Sequence, residues 1–209
     1  MVGRIITCDA DVAEGAEWLA NRHPAFATAL TQTGPLPLRR NPDGFETLLS
    51  AIVSQQVSVA SANAIWARMG TVGLTKQENV ARANDEQLRA AGLSRQKARY
   101  ALALANSDIH FPSLRKMETE DVISHLVAVP GIGRWTAEVY LMFALGRADV
   151  FAPADLALQE AAKLLFGLEA RPSEKALRQM AEDWSPWRAV AARALWAYYR
   201  VAKDREGIR

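Results

Sequence analysis

The stretch VPGIGRWTAEVYLMFAL, residues 129–145, constrains the fold of this chain more than any other. It places two glycines in a short turn between two helical patterns. Pro130 ends the preceding helix because it has no N–H and its ring collides with the carbonyl one turn back. Gly131 and Gly133 permit turn angles, and a close approach, that a side chain would block. The tight turn is expected to leave backbone N–H groups unpaired at the start of the next helix, where such groups bind anions. Arg134 adds positive charge beside them, so a nucleic-acid phosphate fits there. An ordinary helix–helix connection commonly contains glycine too, and four residues alone do not separate the two readings.

The rest of the chain supplies helices to either side. Residues 9–30 are weakly amphipathic and broken at Pro24, with Trp18, Leu19, Phe26 and Leu30 as core candidates. TGPLPLRRNPDG then reads as an extended connection and a boundary between structural halves, with Asp43 poised to cap the next helix. Phe45, Leu48, Leu49, Ile52 and Val53 keep the spacing of one helix face. This helix gives way at SQQV, and Ser58 caps a second that runs through Met69 to Gly70. Gln55 and Gln56 therefore sit near a helix junction, where solvated amides are the bland alternative to a functional pair. Asn84 and Gln87 make a capping box for a short helix closed by Gly92. Ser94 caps the next helix, whose Arg95, Lys97 and Arg99 crowd a first turn where the helix dipole favours acids. Such a cluster faces either phosphate or solvent.

From Thr119 a helix leads to the glycine turn, after which Trp135, Val139, Met142 and Phe143 form a stripe expected to be buried. Asp155 follows Pro153 and Ala154 at the head of an apolar run, a position that suits a plain N-cap. Further helices are expected from Ser173 to Asp183 and, with Ser185 as N-cap and Pro186 at the first position, through Lys203. Trp187, Trp196, Tyr198 and Tyr199 on the last helix are mostly core by default. No strand-like alternation, repeat or low-complexity tract appears, so the fold class is all-α, with about ten helices.

Composition excludes several classes. With 209 residues, half of them apolar, the chain can bury a sizeable core. Its formal net charge is only +2, so affinity for a polyanion must come from local arrangement. Cys8 is the single cysteine, which rules out an intramolecular disulfide and any four-cysteine cluster or zinc site. A reducing, intracellular location fits that usage. Neither an export signal nor a long uninterrupted apolar span is present, so no membrane partner is expected.

Four segments in one order, FETLLSAIVSQQVSVASANAIW, GLSRQKARYALALA, LVAVPGIGRWTAEVYLMFALGRADVFAPADLAL and WSPWRAVAARALW, resemble the helix-hairpin-helix DNA glycosylases. The likeness is to their DNA-3-methyladenine glycosylase II branch and covers roughly residues 45–199. It implies a two-lobed all-α helix-hairpin-helix fold with the active site in the cleft between lobes. Residues 43–153 would form the lobe bearing the hairpin, and residues 1–42 plus 154–209 the other, in a compact form of the branch. The implied partner is double-stranded DNA containing alkylated bases, bound by a monomer without a cofactor.

Residue by residue, Asp155 matches the family's catalytic aspartate, and Gly131, Ile132 and Gly133 match the hairpin whose backbone contacts phosphate. Trp135 stands where lyase-active relatives have a lysine. A lysine amine can attack the sugar and form a Schiff base, whereas an indole cannot, so hydrolysis with an intact abasic strand is expected. Alkylation at N3 of adenine or N7 of guanine makes the base cationic and a good leaving group, so little acid catalysis is needed. His23, His110 and His125 lie outside the matched catalytic segments and are assigned surface or local structural roles. Trp135 and Trp196 match aromatic positions of the base pocket, with Tyr140 as a weaker candidate. The family's pocket tyrosine aligns with Val139, a departure that bears on substrate range. Gln56 matches the side chain that fills the gap left by the flipped base, with Gln55 in support. No side-chain metal set is expected, and carbonyl ligation at the hairpin would leave no signature. Two other functions fit parts of the pattern: an oxidised-base or bifunctional glycosylase of the same fold, and a DNA-binding module without chemistry.

Overall fold

The computed structural model describes residues 2–205. In chain order the helices are α1 (Asp9–Arg22), α2 (Pro24–Thr33), α3 (Phe45–Ser54), α4 (Val59–Thr71), α5 (Gln77–Arg82), α6 (Asp85–Ala90) and α7 (Arg95–Ala105). They continue with α8 (Phe111–Leu114), α9 (Thr119–Val127), α10 (Arg134–Phe143), α11 (Leu156–Phe166), α12 (Glu174–Met180) and α13 (Arg188–Arg205), with a 3-10 turn at Ala181–Trp184. The fold is all-α as expected, with an isolated antiparallel bridge between Ile5 and Arg147 and no strand among the described residues. The thirteen α-helices among the described residues exceed the ten or so read from the sequence. Segments such as α5, α6 and α8 are too short to display a helical period. No helix among the described residues is long and apolar enough to cross a membrane.

The chain divides into two compact units, Met1–Arg40 with Leu141–Arg209, and Asn41–Tyr140. In the first unit α13 packs on α11, α2 and α1. Gly15 on α1 is buried against Trp187, where an added Cβ would come within 2.6 Å of the ring. Phe26 meets Phe166 and Trp184 edge-on at 5.8 and 5.3 Å, a geometry that aligns ring edges with ring faces. Trp187 is buried as expected, while Trp18, Leu30, Trp196, Tyr198 and Tyr199 are only half-buried. Arg193 is fully buried, and its guanidinium donates to the Leu38 and Ala189 carbonyls and lies 4.8 Å from the Phe143 ring. Burial, with Arg39 and Arg40 nearby, lowers its pKa to about 10.

In the second unit α7 packs on α3, α5 and α6. Phe45, Leu48, Leu49, Ile52 and Val53 are all buried, as their spacing predicts. Ser58, Ser94 and the Asn84–Gln87 box cap their helices as read. Three helix boundaries differ from the reading. Asp43 does not cap α3, whose N-cap is Gly44, because the Asp43 carboxylate is taken by Tyr140 Oη and by Arg115 Nε at 2.7 Å. Helix α4 continues through Gly70 to Thr71. It is closed by Gly73 at φ 73°, with Leu74 N–H donating to the Met69 carbonyl at 2.8 Å. In the first unit α13 starts at Arg188 rather than after Ser185, whose hydroxyl donates to Asp149 at 2.8 Å instead of capping.

Candidate functional site

The glycine turn joins α9 to α10, and its two glycines serve different ends. Gly131 has φ 92°, and an added Cβ would overlap the Tyr100 ring, so the fold itself demands glycine there. Gly133 has neither constraint: nothing lies within 4 Å of where its Cβ would stand. Its bare backbone is an open surface that a phosphate can approach. Ile132 is held inside the turn. Its N–H donates to the Val129 carbonyl at 3.1 Å, which closes the turn, and its side chain is buried. Arg134 is also less available than its sequence position implies. Its guanidinium donates to Glu120 at 2.8 Å and to Glu138 at 3.0 Å. The Glu120 hydrogen bond is the main reason that its pKa is raised.

Gln55 ends α3, and its Nε2 donates to the Gly131 carbonyl at 2.9 Å. Gln56 follows in the left-handed region at φ 54°, which costs a non-glycine residue about 1–2 kcal/mol, and its side chain is exposed. Val57 and Val59 are exposed beside it, so the α3–α4 turn presents an amide amid apolar surface. Within the basic cluster, Lys97 does not face solvent freely. Its ammonium donates to the Val53 carbonyl at 2.7 Å, and burial lowers its pKa, whereas Arg95 and Arg99 are exposed.

Trp135 was expected in a buried stripe but is 42% exposed, and Val139 is half-buried; Met142 and Phe143 are buried. The stripe expected to be core thus begins with an indole at the surface. Trp135, Val139 and Tyr140 line a cavity of about 1210 Å³ together with Asp43, Phe45, Trp66 and others of the same unit. Tyr140 is buried, and desolvation, then its bond to Asp43, pushes its phenol well above the ordinary tyrosine range. Tyr100 and the Asp43–Arg115 pair escaped sequence reasoning. No spacing rule ties Tyr100 to a turn thirty residues on, or Asp43 to Tyr140.

In the other unit Asp155 is the N-cap of α11, its Oδ1 accepting from Ala157 N–H at 2.9 Å and Leu158 N–H at 3.1 Å. The Trp196 indole N–H also donates to Oδ1, at 3.3 Å. Trp196 packs on Phe143 with ring centroids 5.7 Å apart. Capping fixes the carboxylate's rotamer, and the indole adds a third donor. His110 and His125 make local bonds to Ser113 and to the Asp121 carbonyl, whereas His23 reaches the Asp183 carbonyl from far along the chain. No group of three or more His, Cys, Asp or Glu side chains among the described residues is placed to hold a metal ion.

Residues 49–186 match the model of the HhH-GPD superfamily base excision DNA repair proteins. The chain is 28% identical over 200 residues to the alkylbase DNA glycosidase-like protein mag2 of Schizosaccharomyces pombe, covering 90% of this chain and 94% of that one. The solved structure of a DNA-3-methyladenine glycosidase from Bacillus halodurans superimposes with TM-score 0.82 and 34% identity over 91% of each chain. That of the Schizosaccharomyces pombe 3-methyladenine DNA glycosylase Mag1, in complex with abasic DNA, gives 0.77 and 26% over 88% of this chain and 95% of that one. The match spans the helix pair around Gly131 and Gly133, Asp155 at the head of α11, and the α7 segment that packs beneath the turn. The chain belongs to the HhH-GPD superfamily of base excision DNA repair proteins.

Proposed function

We propose that the protein is a monofunctional DNA glycosylase that flips alkylated purines, 3-methyladenine and 7-methylguanine, out of duplex DNA and hydrolyses their N-glycosidic bonds, leaving an abasic site. The observation that carries this reading is the Asp155 carboxylate, held in one rotamer by two backbone N–H groups and the Trp196 indole. A fixed carboxylate stabilises the oxocarbenium-like sugar that forms as a cationic base departs, and it helps orient the attacking water. The relatives named as 3-methyladenine glycosylases support the same substrate class.

The other residues take the roles that the family resemblance gives them. Gly133 receives a phosphate on open backbone, with Gly131 shaping the turn. Trp135 and Trp196 offer π faces to a cationic base, worth about 0.5–2 kcal/mol each. Tyr140 lines the cavity beside Trp135. Gln56 fills the space vacated in the base stack. An indole at position 135, where an amine nucleophile would have to stand, favours hydrolysis without strand cleavage. The partner is double-stranded DNA, and the protein acts as an intracellular monomer. The test is incubation with methylated duplex DNA, with free bases and strand breaks measured separately. Methylpurine release without nicking is expected; nicking, or release confined to oxidised bases, would overturn the reading.

A further inference from the structure

The hairpin and the α3–α4 turn are locked to each other by one side chain. The Gln55 Nε2 donates to the Gly131 carbonyl at 2.9 Å in a part-buried setting. Gly131 in turn rests on the Tyr100 ring, so closely that no side chain is tolerated there. Tyr100 is steadied on α7 by Gln96, whose Nε2 donates to the phenol oxygen at 2.5 Å. Lys97, one residue on, closes the triangle by donating to the Val53 carbonyl in the last turn of α3 at 2.7 Å. The end of α3, the start of α7 and the hairpin are thus joined pairwise. Gln56, with its left-handed backbone, hangs directly from Gln55.

From this geometry we infer that Gln55 is a positioning residue, which fixes the register between the phosphate grip at the hairpin and the wedge at Gln56. The inference rests on the glycosylase reading above. Phosphate contacts set where a protein sits along the duplex but carry no information about the base. A wedge inserted one step from the flipped nucleotide must therefore take its register from the grip. The Gln55 amide is the side-chain link that runs directly from the residue beside the wedge to the turn that makes the grip. Without it each part persists, but their spacing is no longer held to the few tenths of an ångström that a base-flipped complex needs.

The test compares wild type with Gln55→Leu, which keeps bulk and removes the donor, and Gln55→Glu, which sets an acceptor against the Gly131 carbonyl. For each, affinity is measured for undamaged duplex and for duplex containing an abasic analogue, alongside thermal melting and base release from methylated DNA. The expected result is a ratio of the two affinities that falls about tenfold in both variants. A merely structural role for Gln55 would lower the melting temperature and leave that ratio as in wild type. An unchanged ratio in Gln55→Leu, or a wild type that shows no preference for the abasic analogue, overturns the inference. A wild type that prefers the abasic analogue yet releases no methylated base overturns the proposed function alone, and the ratio in the variants still decides on Gln55.

Discussion

Tyr140 donates its phenolic hydrogen to the Asp43 carboxylate and accepts from the Gly44 N–H at 3.0 Å, so one oxygen ties the end of the Pro-rich connection to α10. Removing that oxygen leaves two groups of the connection short of a partner. Tyr140→Phe is expected to cost about 1–3 kcal/mol in urea unfolding. A pH signature goes with it. The fold raises the phenol's pKa above that of the unfolded chain. The contribution is therefore complete below about pH 10 and is lost as pH rises further, because the unfolded state sheds its proton first. Stability of the wild type should fall more steeply above about pH 10 than that of Tyr140→Phe. Parallel slopes would mean that the phenol is not held as described.

Asp155→Asn separates capping from catalysis. Asparagine caps a helix about as well as aspartate, so α11 and the melting temperature should be nearly unaffected. What is lost is the negative charge that the proposed function sets beside the departing base's sugar. Base release should fall by about 100-fold or more, while affinity for an abasic-analogue duplex is largely kept. Near-native turnover of a 3-methyladenine duplex would reduce Asp155 to a helix cap.

The two hairpin glycines should respond in opposite ways. Gly131→Ala forces a side chain into the Tyr100 ring at φ 92° and should lower stability by at least about 1 kcal/mol, seen as a drop in melting temperature. Gly133→Ala meets nothing within 4 Å and should melt like wild type. Gly133→Asp should also fold, yet bind every duplex more weakly at about 0.1 M salt, whatever the sequence, since the added charge faces phosphate. If Gly133→Asp bound DNA normally, the grip would have to lie elsewhere.

The sequence revealed what local rules govern. The caps at Ser58, Asn84 and Ser94 are local hydrogen bonds between residues three apart, and the α3 stripe is a single period, so both could be read directly. Asp155 stood out twice, as a cap by spacing and as a catalytic match by resemblance. What escaped were pairings across long stretches of chain. Asp43 looked like a cap because its neighbours are turn residues, but Tyr140, ninety-seven positions away, claims its carboxylate. Trp135 looked like core because it shares a face with Met142 and Phe143, and only the packed structure shows that this face leaves the interior at its first turn. Arg134 looked like free positive charge until Glu120 and Glu138 were placed beside it.

Trp196 has two separable features, a π face and an N–H, and substitutions can remove one or both. Trp196→Phe keeps a ring against Phe143 but loses the donor to Asp155, which now sits 3.3 Å from the indole nitrogen. Trp196→Leu loses both. If the π face recognises positive charge, Trp196→Leu should depress release of cationic 3-methyladenine or 7-methylguanine more than that of neutral hypoxanthine. The excess should be about tenfold if the lost cation–π attraction approaches 1.4 kcal/mol in the transition state. If the N–H matters by holding Asp155, Trp196→Phe should slow all three substrates by the same factor, with the cationic preference intact. Rates on the two classes of base, with melting curves for each variant, distinguish these effects from simple loss of packing. Equal losses on every substrate in Trp196→Leu, together with a lowered melting temperature, would remove Trp196 from base recognition.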